Sequence, residues 1–120
     1  MEPTTSKWPA LLARLRAETD ERRTRSAARR AQADVLAELL RTRFGVIRVL
    51  LFGSLARGDL AGRLDIDLAV TGLAAVDELR ALAAVSDEAG CAVDLVRTED
   101  ASPRLAAAIA RDGIELVAHG

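Results

Sequence analysis

The sequence predicts an α/β (α+β) fold, in which a small mixed β-sheet carries helices mainly on one face and follows a long helical segment. Two observations predict it. A helical pattern without internal Gly or Pro runs from about Pro9 to Arg43. Short apolar runs then alternate with amphipathic segments. The expected order is helix, strand, short helix, strand, helix, strand, helix and short strand.

The first helix has good end signals, with Ser6 as a candidate N-cap and Gly45 after its last turn. It carries two apolar patches, separated by an almost wholly polar or alanine stretch over 16–30. The first patch is Leu11, Leu12 and Leu15, and the second, expected in the core, is Val35, Leu36, Leu39, Leu40 and Phe44. One unbroken helix would be ~52 Å long. We therefore expect a break or hinge near Thr24–Ser26, with the front segment packed on the domain or on a partner; a protruding front half is the alternative.

Downstream, three apolar runs predict strands, and two amphipathic runs predict helices. The strands are 50–54, 64–70 and 91–96. The first helix is 76–89, stopped by Gly90, and its inward residues are expected to be Leu79, Leu82, Ala83 and Val85. The second helix is 103–112, with Gly113 as its C′ residue, and a short strand follows.

Composition sets the outer bounds. The 120 residues form one compact unit, which we divide into an N-terminal helical segment (1–43) and the remaining domain (44–120). Residues 1–44 carry a net charge of +4 and residues 45–120 one of −5. Because only three aromatic residues are present, we do not expect direct nucleic-acid binding by base stacking. No apolar run approaches a membrane span, and the single cysteine, Cys91, fits a reducing cytoplasm.

The most informative motif is Gly53-Ser54, followed after ten residues by Asp65-Ile66-Asp67. Alternate residues of a strand project to the same face, so Asp65 and Asp67 are expected together. Two such carboxylates repel each other, and a divalent cation would relieve this; oxygen-only ligands favour Mg²⁺ or Mn²⁺. Gly53 would let the backbone approach a phosphate, and the Ser54 hydroxyl could donate to it. The alternative is a surface Asp-x-Asp beside an ordinary turn.

Two further residues are candidates for the same site. Asp94 lies in an apolar strand without a nearby partner, and a buried site shared with Asp65 and Asp67 would explain it. The alternative is an aspartate that marks a sheet edge. Arg57 follows Ser54 by three residues, so it could reach the same phosphates. Its alternative is a solvated arginine at the helix start.

The first helix also carries an arginine cluster. Its members are Arg22, Arg23, Arg25, Arg29 and Arg30. We interpret them mainly as a solvated face paired with Glu18, Asp20 and Glu21, with nucleic-acid contact as the alternative. The long basic helix also makes self-association possible.

The motif Gly53-Ser54, ten residues, Asp65-Ile66-Asp67 resembles the signature of the minimal nucleotidyltransferases of the DNA polymerase β superfamily. These MNT-type proteins are often paired with HEPN-domain toxins. Residues 53–58 resemble the family's Gly-Ser-x-x-Arg-Gly turn, 91–96 its strand with the third carboxylate, and 109–117 its closing helix and strand. The resemblance covers about 44–118. Leu64 departs from it, since the family commonly has Ser there.

The resemblance implies a nucleotidyltransferase fold and a two-metal site. Asp65 and Asp67 would bridge two Mg²⁺ ions, and Asp94 would hold one of them and take the proton of the acceptor hydroxyl. Gly53, Ser54 and Arg57 would hold ATP. The implied activity is transfer of AMP to a hydroxyl, on a tyrosine of a HEPN toxin, by its antitoxin. The alternatives are a non-catalytic antitoxin that acts by occlusion, or transfer to a small molecule or an RNA end.

Overall fold

The computed structural model of the chain describes residues 7–118, so the candidate N-cap Ser6 lies outside the described residues. Four α-helices and four strands follow in the expected order. The helices are α1 (Trp8–Phe44), α2 (Gly53–Arg57), α3 (Glu78–Ala89) and α4 (Pro103–Asp112), and the strands are β1 (Arg48–Phe52), β2 (Ile66–Thr71), β3 (Val93–Arg97) and β4 (Ile114–Ala118). Two short 3₁₀ turns, Ala75–Asp77 and Thr98–Asp100, precede α3 and α4.

The strands form one mixed sheet in the order β3-β2-β1-β4. β1 is antiparallel to both β2 and β4, whereas β2 and β3 are parallel because α3 connects them as a crossover. This places β2, which follows Asp65, in the interior of the sheet and β3 at its edge. The mixed sheet and its helices confirm the predicted fold class.

One face of the sheet packs on α1 and α3 and forms the core. Alternate residues of β1, β2 and β3 are buried there, and the last three turns of α1 cover them. The strand residues are Val49, Leu51, Ile66, Leu68, Val70, Val93 and Leu95, and the α1 residues are Ala33, Leu36, Ala37 and Leu40. The prediction that Val35 of the second patch lies in the core is wrong, because Val35 points away from the sheet and is half exposed.

The α1 helix is continuous over 37 residues, so the expected break near Thr24–Ser26 is wrong. No Gly or Pro lies after its first turn, and the polar stretch consists largely of good helix formers. Thr19 and Thr24 bond back to carbonyl oxygens one turn earlier, which lets these residues stay in the helix. Gly45 ends the helix in the left-handed conformation, as predicted.

The front half of α1 protrudes from the domain, and the described residues extend over 74 Å in their longest direction. Trp8, Leu11, Leu12 and Leu15 are exposed, so the expectation that this patch packs on the domain is wrong.

The α3 helix buries a different stripe from the predicted one. Ala81, Val85 and Ala89 face the core, whereas Leu79 and Ala83 are exposed and were wrongly expected inside. The 3₁₀ turn Ala75–Asp77 leads directly into α3, in which Leu79 lies toward solvent. Gly90 ends α3 as predicted.

The second face of the sheet is only partly covered. α4 begins with Ser102, whose side chain accepts a hydrogen bond from the Leu105 backbone, and it packs beside Leu50 of β1. Ala69 of β2 is buried on this face, whereas Asp94 of the edge strand β3 is exposed. Among the described residues, no helix combines the length and apolar character needed to cross a membrane.

Candidate active site

Asp67 and Asp94 lie at the same register position of the parallel strands β2 and β3. Both belong to the sheet face opposite the core, since their neighbours Ile66, Leu68 and Val93 are buried. Asp67 is partly buried and Asp94 is exposed, so the expectation that Asp94 is buried is wrong. The reason is that α4 covers this face beside β1 and leaves β3, the edge strand, open.

Asp65 lies just before β2 and close enough to act on Asp67 electrostatically. Burial raises the pKa of Asp67 to about 6, and hydrogen bonding to Asp94 and the charges of Asp94 and Asp65 add to this. Arg57 opposes the shift through its positive charge. The three predicted aspartates therefore lie together, and their mutual repulsion is concentrated on Asp67.

Gly53 brings the turn after β1 directly against Asp67. Its φ is +75°, and a Cβ atom built at this position would lie 2.3 Å from Oδ2 of Asp67. Both the left-handed conformation and the close approach require glycine. In this structure the near neighbour of Gly53 is thus one of the carboxylates, which couples the turn to the acidic site.

The Ser54 hydroxyl closes the loop between the two motifs. It donates to the backbone oxygen of Arg63, while the Asp59 carboxylate accepts from the backbone N–H groups of Ala61 and Gly62. Asp59 and Arg63 are loop residues. A phosphate at Ser54 would have to replace the hydrogen bond to Arg63.

Arg57 is held by a residue that the sequence did not suggest. Its Nη1 lies 3.0 Å from Oδ2 of Asp112, whose side chain is only 7% exposed. Arg111 also pairs with Asp112, and these two arginines hold the pKa of Asp112 below its ordinary value, with the hydrogen bond from Arg111 as the main cause. The two partners lie 55 residues apart, so no local pattern could have identified the pair.

The donor chemistry of the site fits a divalent cation. Three carboxylates contribute oxygen atoms, and the charges of Asp94 and Asp65, which add to the effect of burial on the pKa of Asp67, are ones that a cation would offset. Within residues 7–118, however, no group of three or more His, Cys, Asp or Glu side chains is spaced to hold one metal ion. Metal binding by Asp65, Asp67 and Asp94 together would thus require side-chain movement.

A cleft of about 440 Å³ lies beside Asp65, between α1 and the loop. Four arginines line it, namely Arg22, Arg25, Arg29 and Arg63. Arg22 donates to the backbone oxygens of Leu60 and Gly62, so its interpretation as a solvated residue is wrong. The sequence feature that could have predicted the cleft is the spacing of Arg22, Arg25 and Arg29, which places these three arginines on one helix face.

The fold and the acidic site agree with the family to which the sequence is matched. The sequence profile of the polymerase beta, nucleotidyltransferase family matches residues 34–119, most of the chain. The chain therefore belongs to this family. The match begins inside α1, so the front part of this helix, with Arg22, Arg25 and Arg29, lies before it.

Comparison with solved structures gives more specific similarities. The chain is 33% identical to a proposed minimal nucleotidyltransferase, with 74% of this chain and 93% of that one covered and a TM-score of 0.61. It is 23% identical to a chain in the complex of the tri-AMPylated Shewanella oneidensis HEPN toxin with its MNT antitoxin (76% and 73% covered, TM-score 0.61). A toxin–antitoxin structure with AMP-PNP is 22% identical (72% and 73% covered, TM-score 0.61). No curated protein sequence matches the chain.

Proposed function

We propose that this chain is a Mg²⁺-dependent nucleotidyltransferase that transfers AMP from ATP to a tyrosine hydroxyl of a HEPN-type toxin, and that it acts as the antitoxin. The single observation that carries the activity is the meeting of Asp65, Asp67 and Asp94 beside the Gly53-Ser54 turn. Family membership supports the reaction class. The acceptor rests on the likeness to the MNT–HEPN complex.

In the proposed reaction, the acceptor oxygen attacks the α-phosphorus, the bond to the bridging oxygen breaks, and pyrophosphate leaves. Asp94, exposed on the open face, would take the proton of the acceptor hydroxyl. Gly53, Ser54 and Arg57 would hold ATP. Bound to the three aspartates, two Mg²⁺ ions would supply charge stabilisation at the attacking and leaving oxygens.

The exposed position of Asp94 on the edge strand β3 supports an acceptor brought by a partner protein. No second domain covers this face of the sheet in the described residues, and Asp94 is accessible there. An acceptor hydroxyl on another protein could approach from this side.

The test uses ATP labelled at the α-phosphate, the protein and a purified HEPN partner, with and without Mg²⁺. We expect Mg²⁺-dependent labelling of the partner, its loss in Asp65→Ala/Asp67→Ala, and retention in the control Asp87→Ala, which alters an exposed aspartate of α3. Complex formation is followed by gel filtration. If the wild-type protein neutralises and binds the partner but transfers nothing, it acts by occlusion and the proposed activity is wrong.

A further inference from the structure

The arginine cleft beside Asp65 has more positive charge than its surroundings balance. Among the described residues, Arg22, Arg29 and Arg63 form no ion pair with a carboxylate, and Arg25 pairs only with the exposed Glu21 at 3.1 Å. The cleft also contains Asp65. Four arginines and one carboxylate, Asp65, therefore line the cleft, and an anion would lower the energy of this arrangement.

Arg29 gives a second, independent sign of a missing ligand. Its Nε is buried and has no hydrogen-bond partner in the described part of the chain. A buried donor without a partner costs free energy, and an acceptor oxygen in the cleft would satisfy it once the Arg29 side chain turns to bring Nε into the cleft. A phosphate or carboxylate oxygen is the natural acceptor for a guanidinium group.

The cleft is also built rather than accidental. Arg22 holds the backbone of residues 60–62, and Ser54 holds that of Arg63, so the wall opposite α1 is fixed from two sides. On α1, Arg22, Ser26 and Arg29 continue the stripe that becomes Ala33 and Leu36 in the core. The arginines are thus positioned by the same packing that holds α1 on the sheet.

We infer that this cleft is a polyphosphate site, in which the α1 segment that precedes the family match binds the phosphates of the nucleotide or of the released pyrophosphate. The inference rests on the proposed function for the identity of the nucleotide. Its chemistry is a chain of several phosphates, because four arginines from α1 and the loop line one cleft of about 440 Å³ next to Asp65. A single phosphate or a lone carboxylate would leave most of them unpaired.

The probe is inorganic tripolyphosphate, titrated by calorimetry in EDTA at pH 7, which needs neither transfer nor metal. We expect Arg25→Ala/Arg29→Ala to weaken binding at least tenfold. The matched control Arg23→Ala/Arg30→Ala removes the same charge from exposed positions that do not line the cleft, and should change binding less than twofold. Arg22 is left intact because it holds the loop. Titrations with ATP, pyrophosphate and AMP then distinguish nucleotide from product, and AMP should bind weakest.

Equal losses in the two double variants would show a general charge effect and overturn the site, as would absence of wild-type binding. Unchanged tripolyphosphate binding with loss of partner binding would assign the cleft to the partner protein instead and also overturn it. Circular dichroism tests whether both double variants fold. If Arg25→Ala/Arg29→Ala does not fold, the single variant Arg29→Gln replaces it in the titration. Tripolyphosphate binding without any transfer of AMP would keep this site and reject the proposed function.

Discussion

Asp67 and Asp94 face each other across the parallel strands β2 and β3, and this contact helps to raise the pKa of Asp67 to about 6. Without metal, between about pH 4 and about pH 6, Asp67 therefore carries a proton in the folded protein that it has already lost in the unfolded chain. Its free energy of unfolding should fall as the pH rises from about 4 to about 6, and stay lower above that range.

Asp67→Asn should remove this pH dependence. In EDTA at pH 7 we expect it to be more stable than the wild type by about 1 kcal/mol, a value reduced for the solvent screening of a partly exposed group. Thermal unfolding from pH 4 to pH 8 measures it, with the exposed Asp87→Asn as control. Mg²⁺ should stabilise the wild type at pH 8 but not at pH 4. A pH profile that Asp67→Asn leaves unchanged would contradict the raised pKa of Asp67.

Gly53 and Gly58 offer a matched pair of substitutions. Both have positive φ, +75° and +72°, so alanine costs each about 1 kcal/mol in backbone strain. Only at Gly53 would the new Cβ meet a neighbour, Oδ2 of Asp67, whereas nothing lies within 4 Å at Gly58. Gly53→Ala should therefore lower the free energy of unfolding by roughly 1 kcal/mol more than Gly58→Ala in urea denaturation. Asp67→Ala in the same chain should recover this difference. Equal costs would mean that the turn does not press on Asp67.

Arg57 and Arg111 share the carboxylate of Asp112 but differ in position. Arg57 also acts on Asp67, which places it beside the acidic site, whereas Arg111 is 70% exposed. Arg57→Ala should raise the KM for ATP about tenfold, the loss of one charge-assisted contact, and Arg111→Ala should change it little. Initial rates of AMP transfer measure both. Parallel effects would indicate that Arg57 serves only the ion pair with Asp112.

The sequence predicted what depends on neighbouring residues. The order of elements follows from apolar periodicity, and the ends of α1 and α3 follow from Gly45 and Gly90, which need no distant contact. The meeting of Asp67 and Asp94 required only that two adjacent apolar strands be parallel and in register.

Distant contacts decided the rest. Asp112 meets Arg57 across 55 residues, and Arg22 reaches the loop carbonyls because α1 stays straight past the sheet. The prediction of a hinge is wrong because a helix can extend beyond the width of its domain. The polar stretch of α1 remains helical in solvent. The front patch at Leu12 and Leu15 stays exposed for the same reason.

The buried stripe of α3 gives the sharpest test of the packing. Val85 is fully buried and Leu79 is 79% exposed, although a helical pattern alone favours both as core residues. Val85→Ala should lower the free energy of unfolding by about 2 kcal/mol, because it leaves a cavity against the sheet. Leu79→Ala should change it by less than ~0.5 kcal/mol, since it removes surface atoms and keeps a good helix former. Urea denaturation compares them. A larger cost at Leu79 would mean that α3 is rotated, so that its sequence-predicted face packs on the sheet.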